Sequence, residues 1–139
     1  MEYVNLGQTG LKVSRICLGM MTYGSPDWRD WILPEMDSRP FVKRALELGI
    51  NFFDTANVYG GPAGTGATES VIGRWFAQGG GRREQVVLAT KTYNAMNRPA
   101  IAIDPNDDRG VSIYKVRRDL DASLERLQTD HVDLYQVHH

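Results

Sequence analysis

Ser38-Arg-Pro-Phe-Val-Lys-Arg-Ala-Leu-Glu-Leu-Gly-Ile-Asn-Phe-Phe-Asp54 contains a whole helix-to-strand cycle in one stretch. Ser38 has the side chain of a helix cap, Pro40 suits a first turn, and Phe41, Ala45, Leu46 and Leu48 form an apolar stripe at helical spacing. Gly49 stands where helices commonly end in left-handed backbone geometry. Ile50 to Phe53 is a short apolar run closed by Asp54, the pattern of a strand covered on both faces.

Working outward, the cycle repeats. Downstream of the glycine-rich loop Gly60 to Gly66 comes a helical pattern from about Thr68 to Gln78, a stop at Gly79-Gly80-Gly81, and an apolar strand from Val86 to Thr90. A third cycle has a loop from Lys91 to Val111, a helix from Ser112 to Leu127 and a strand from Val132 to Val137. Upstream, Tyr3 to Leu6 and Lys12 to Ser14 flank Gly7-Gln8-Thr9-Gly10 and predict a small hairpin, followed by a buried strand from Arg15 to Leu18 that Gly19 ends. Met20 to Pro34 has no clean period and reads as a loop, in which Trp28 and Trp31 are expected to be packing residues. Short strands alternating with longer helices indicate parallel βαβ units with right-handed crossovers, an α/β fold. A doubly wound nucleotide-binding sheet and a barrel share that rhythm. No G-x-G-x-x-G follows the first strand, and Gly60, Gly61, Gly64 and Gly66 have the wrong spacing for one, which counts against the doubly wound sheet.

Bulk properties narrow the function. The 139 residues suffice for one domain, and 42% hydrophobic with 24% charged residues is a globular composition. Sixteen basic and 17 acidic residues leave a net charge of −1 without a basic block, so nucleic acid is not an expected partner. No apolar run is long enough to cross a bilayer, and the first ten residues do not resemble a secretion signal. The single cysteine, Cys17, lies in an apolar run and is expected to be a buried free thiol. Together these predict a cytoplasmic protein without membrane insertion; no metal site is expected.

In a barrel the reacting groups sit at the C-terminal ends of strands. Asp54 closes the second strand, Tyr59 lies five residues on, Lys91 closes the third, and His138 and His139 close the fourth. Taken singly, each has an ordinary structural explanation; the four types together describe a chemistry. Reducing a carbonyl requires a proton donor for the developing alkoxide, and a tyrosine, of ordinary pKa about 10, becomes one beside a lysine ammonium. Asp54 would hold Lys91 charged, and a histidine N–H would polarise the carbonyl oxygen. No side chain supplies hydride, so a cofactor is implied.

The segments Asn5-Leu-Gly-x-Thr-Gly-Leu-x-Val-Ser14, Leu18-Gly19, Gly49-Ile-Asn-Phe-Phe-Asp-Thr-Ala56, Tyr59-Gly60, Glu69, Gly73, Ala89-Thr-Lys91, Ser123-Leu-x-x-Leu127 and Asp130-x-Val-Asp-Leu-Tyr-Gln-Val-His138 resemble the aldo-keto reductase family over essentially the whole chain. The form is most similar to the bacterial branch related to potassium-channel beta subunits. The resemblance implies a (β/α)8 TIM barrel, here its N-terminal hairpin and about the first four strands, with residues 1–139 as part of a single domain. It implies reduction of aldehydes or ketones with NADPH, NADH not being excluded, and a catalytic tetrad of Asp54, Tyr59, Lys91 and His138. Tyr59 would be the proton donor, and His138 is preferred to His139 because the family motif places its histidine two residues after a glutamine, here Gln136. Met20, Met21, Tyr23 and Asp54 would line the nicotinamide pocket.

Three departures from the family pattern stand out. Gln128 replaces a common glycine, at a cost of up to about 1 kcal/mol if the position is left-handed. Asn94 to Asp108 reads as an insertion on the active-site rim. A complete barrel takes about 250 residues, so the chain would hold only half of one and would require a complementary half-barrel or self-association to cover its open edges. Three functions follow from these expectations: a carbonyl reductase acting on a small-molecule substrate, a nicotinamide-binding regulatory module, and an inactive truncated fragment.

Overall fold

The computed structural model describes residues 1–62, 65–96, 105–106 and 108–139. The chain opens with an antiparallel hairpin of β1 (Tyr3–Asn5) and β2 (Lys12–Ser14), in which Val4 faces Val13. There follow β3 (Cys17–Gly19), α1 (Glu35–Glu47), β4 (Phe52–Asp54), α2 (Ala67–Phe76), β5 (Val87–Thr92), α3 (Ile113–Leu127) and β6 (Leu134–Val137). The last four strands form one parallel sheet in the order β3-β4-β5-β6.

That order separates the two α/β architectures left by the alternating rhythm. A doubly wound sheet reverses its strand order partway along, which places helices on both faces. Here every step runs the same way, and same-handed crossovers then lay every helix on one face. Phe53 of β4 and Leu88 of β5 pack with Val42 of α1, with Ile72, Trp75 and Phe76 of α2, and with Leu127 of α3. Strand neighbours Phe53 and Leu88 are both fully buried in this layer. No helix among the described residues is long and apolar enough to cross a membrane.

Several boundaries differ from those read in the sequence. α1 begins one turn before Ser38, with Pro34 at the N-cap position at φ −64° and Glu35 and Asp37 in the first turn, where acidic groups complement the helix dipole. Ser38 is therefore inside the helix, and its buried hydroxyl donates to the Glu35 carbonyl at 2.7 Å. The Ser-x-Pro pattern imitates a start signal, but Pro34 provides an earlier one. The far end matches expectation: Gly49 has φ 83°, and the Ile50 N–H reaches back to the Ala45 carbonyl at 2.9 Å. Gly19 lies within β3, and β5 runs on to Thr92, so Lys91 is inside the strand instead of closing it. Cys17 is exposed, because its neighbour Leu18 packs towards the helices and the alternation of the strand turns Cys17 to the other face. Gln128 adopts the left-handed conformation on which its cost depends, with φ 51°. The rim insertion expected over residues 94–108 falls largely outside the described residues.

Candidate active site

The alternation of side chains along a strand selects which residues share a surface. Thr90 and Thr92 of β5 turn towards the helices, where the Thr90 hydroxyl donates to Glu69 of α2 at 2.6 Å and the Thr92 hydroxyl to Asp119 of α3 at 2.7 Å. The intervening Lys91 therefore points to the opposite face. Register carries that face across the sheet: Asp54 pairs with Ala89, two residues before Lys91, and Lys91 pairs with Gln136, two residues before His138. Even offsets keep Asp54, Lys91 and His138 on one side, at successive steps towards the strand ends.

Their side chains meet. Lys91 Nζ donates to Asp54 Oδ2 at 2.6 Å, to the Thr55 carbonyl at 2.9 Å and to the Tyr59 hydroxyl at 3.4 Å. His138 Nε2 lies 3.3 Å from the same hydroxyl, with its ring edge-on to the phenol at 89°. The backbone fixes this histidine, because its N–H donates to the Thr92 carbonyl at 2.8 Å. Burial, and next the Lys91 ammonium, hold the His138 imidazole below its ordinary 6.5 despite the opposing pull of Asp54. A neutral ring at neutral pH follows, with one N–H to give.

Tyr59 lies on the loop between β4 and α2, and its carbonyl accepts the Thr68 N–H at 3.1 Å. Gly60 makes the turn possible at φ 81°, where a Cβ would strike the Thr68 hydroxyl and the Tyr23 carbonyl. Gly24 comes so close to Gly60 that backbone meets backbone, and the Ser25 N–H donates to the Gly60 carbonyl at 2.7 Å. The loops after β3 and β4 are thereby locked together beneath the phenol.

A cleft of about 520 Å³ opens beside Tyr59, lined among others by Met21, Trp28, Trp31, Asn94 and Arg109. Both tryptophans expected to be packing residues thus reach a cavity wall. Of the residues assigned to a nicotinamide pocket, Met21 lines the cleft and Asp54 touches Lys91, whereas Met20 and Tyr23 are buried in the core behind them. His139 is separate: its ring packs against Tyr93, with centroids 5.2 Å apart. Among the described residues no cluster of three His, Cys, Asp or Glu side chains could hold a metal ion.

Sequence reading overlooked a second polar layer under the site. Lys115 pairs with Asp119 at 2.9 Å, both buried, and Lys115 Nζ also donates to the Asn94 carbonyl at 3.0 Å. The Asn94 amide nitrogen lies 3.4 Å from His138 Nδ1. A signal existed: Lys115, Asp119, Ser123 and Leu127 recur every four residues along α3 and are its buried positions, so polar groups occupy a stripe where apolar ones would be expected.

Comparison with known proteins identifies the family. The model of the aldo/keto reductase family matches residues 15–139. The chain is 55% identical over 139 residues to the uncharacterized oxidoreductase YrpG of Bacillus subtilis (strain 168), covering 100% of this chain and 40% of that protein. It is 37% identical over 149 residues to versiconal hemiacetal acetate reductase of Aspergillus parasiticus, covering 99% of this chain and 42% of that one. A crystal structure of PA4992 from Pseudomonas aeruginosa, assigned as an aldo-keto reductase, matches with a TM-score of 0.73 at 31% identity, over 99% of this chain and 47% of the other. The chain spans about 40% of the length of these curated relatives, and its parallel sheet is part of a TIM barrel. Matched by the family model over most of its residues and by relatives along its whole length, the chain belongs to the aldo/keto reductase family.

Proposed function

We propose that this chain carries the proton-delivering part of an NADPH-dependent reductase of aldehydes or ketones, with Tyr59 as the proton donor. The observation that supports this reading is the convergence of an ammonium and an imidazole nitrogen on one phenol oxygen, Lys91 Nζ at 3.4 Å and His138 Nε2 at 3.3 Å. With the imidazole protonated at Nε2, both groups donate to that oxygen and the phenol's own proton is directed outward. A substrate carbonyl in the adjoining cleft would take it as negative charge develops on its oxygen. Lys91, fixed by Asp54 and the Thr55 carbonyl, balances the charge left on Tyr59. His138 Nε2–H, exchanging the phenol oxygen for the carbonyl as substrate enters, would orient and polarise it.

These four side chains hold and move protons but carry no hydride, so the donor set fits a bound nicotinamide, which supplies the hydride. Met21 and Asp54 are the residues here that would face it, with Met20 and Tyr23 backing that wall. Because the chain covers about 40% of its relatives, the remaining barrel strands and most of the cofactor contacts lie, in this proposal, outside these 139 residues. Versiconal hemiacetal acetate reductase is by its name a reductase, which supports the reaction type.

Tyr59→Phe is the direct test. It should lower carbonyl-dependent NADPH oxidation by about 10²–10⁴-fold, the usual contribution of a positioned proton donor. A wild-type rate in the variant would remove Tyr59 from the mechanism. Cofactor binding without turnover in the unaltered protein would favour a regulatory module, and no binding at all would point to an inactive fragment.

A further inference from the structure

We propose that Asn94 is a positioning residue for His138: its carboxamide N–H donates to His138 Nδ1 and so fixes the imidazole as the tautomer protonated at Nε2, the nitrogen facing Tyr59. The ring lies between two partners, with Asn94 Nδ2 at 3.4 Å from Nδ1 and the Tyr59 hydroxyl at 3.3 Å from Nε2. A neutral imidazole has one N–H and one acceptor nitrogen, so the bond made at one nitrogen dictates the state of the other. An amide N–H at Nδ1 requires that nitrogen to accept, which places the proton on Nε2.

The consequence for Tyr59 depends on which tautomer is present. If Nε2 carries the proton, it donates to the phenol oxygen as Lys91 does, and the phenol proton stays available to the cleft. If Nδ1 carried it, Nε2 would accept the phenol proton and turn it away from substrate. The same residue thus decides whether a competent proton donor faces the cleft.

Asn94 is itself held. Lys115 Nζ donates to its backbone carbonyl at 3.0 Å, and Lys115 is anchored by Asp119, which also accepts from Thr92 of β5. Between Thr92 and Asn94 the chain passes through Tyr93 at φ 137°, a backbone conformation that a tyrosine rarely adopts. The Gly110 N–H donates to the Tyr93 carbonyl at 3.0 Å and supports the turn. A buried ion pair and a strained residue therefore converge on the backbone of a residue whose carboxamide hydrogen-bonds to the histidine and to neither the phenol nor the ammonium, as expected of a group acting through the histidine.

The test is a long-range ¹H–¹⁵N spectrum of the histidine rings above pH 6.5. The chain has three histidines, and a His138→Gln variant assigns the signal. In the unaltered protein Nε2 should be the pyrrole-type nitrogen and Nδ1 the pyridine-type. Asn94→Asp replaces the donor with an acceptor and should reverse that pattern, while Asn94→Ala should leave a mixture of the two. A ring protonated at Nδ1 in the unaltered protein, or a pattern unchanged in Asn94→Asp, would overturn the proposal. The role of the tautomer in proton delivery rests on the reductase reading, but the spectrum requires no turnover. An inactive protein with the expected tautomer would therefore count against the reductase reading alone, and an active one with the opposite tautomer against Asn94 alone.

Discussion

Burial and the Lys91 ammonium hold the His138 imidazole below 6.5 in the folded chain, and this has a consequence for stability. Above 6.5 the ring is neutral whether folded or unfolded, and it contributes no pH dependence. As pH falls through 6.5 towards the lower folded value, the unfolded chain takes up its proton first, so the folded state loses stability, and the loss levels off once both states are protonated. The ionisable groups facing the ring are Lys91, Asp54 and Tyr59. Urea unfolding between pH 7.5 and 5.5 should therefore show a steeper decline for the unaltered protein than for His138→Asn; equal slopes would mean that the ring is not destabilised in its charged form. Asp54, Tyr59, Lys91 and His138 were legible in the sequence because each lies in or just beyond an apolar strand, where the barrel rule indicates in advance where such groups gather. Asn94 was not. It sits in irregular chain beyond the strained Tyr93, and no periodicity indicates which way such a residue faces.

Helices α2 and α3 meet with almost nothing between them. A Cβ added to Gly73 would lie 2.1 Å from the Arg126 carbonyl oxygen, so glycine is needed for close approach and not for any unusual φ. Beside it Glu69, fully buried, accepts from Arg126 Nε at 2.8 Å and from the Thr90 hydroxyl at 2.6 Å, tying both helices to β5. Gly73→Ala should force the helices apart and lower stability by about 1–3 kcal/mol, the usual range for an overpacked interior. Gly10→Ala is the matched control, because its Cβ would meet nothing within 4 Å and its effect should stay within about 0.5 kcal/mol. Thermal melts of the two variants compare them directly, and equal melting temperatures would refute the close-packing argument. Element types were readable from period and glycine placement. Boundaries were less so, because capping competes among neighbours: Pro34 with two acidic residues after it starts α1 ahead of Ser38, and pairing with β6 carries β5 on to Thr92.

Seen as a whole, the sheet has two open sides, since β3 and β6 each hydrogen-bond to a single neighbouring strand among the described residues. Ile16 and Val137, at 57% and 59% exposed, lie next to or on those edge strands. Unpaired edges with apolar flanks attract further strands, so the 139-residue chain expressed by itself should associate beyond its 15.6 kDa monomer. Sedimentation velocity over a concentration series checks this, and a single monomeric species throughout would contradict it. The α/β class was legible from rhythm alone. The strand order was not legible from rhythm, because crossovers of similar length build either a one-way sheet or a reversing one; the missing dinucleotide fingerprint and the family resemblance favoured the former. The two-residue stagger of Asp54, Lys91 and His138 also constrains how the gene can change. Point substitutions alter one group at a time, but deleting a single codon within residues 87–90 of β5 would turn every later side chain of that strand to the opposite face, sending Lys91 among the helices. Insertions and deletions that survive in related genes should therefore fall in the loops, with the strands keeping their lengths as a reading frame of two.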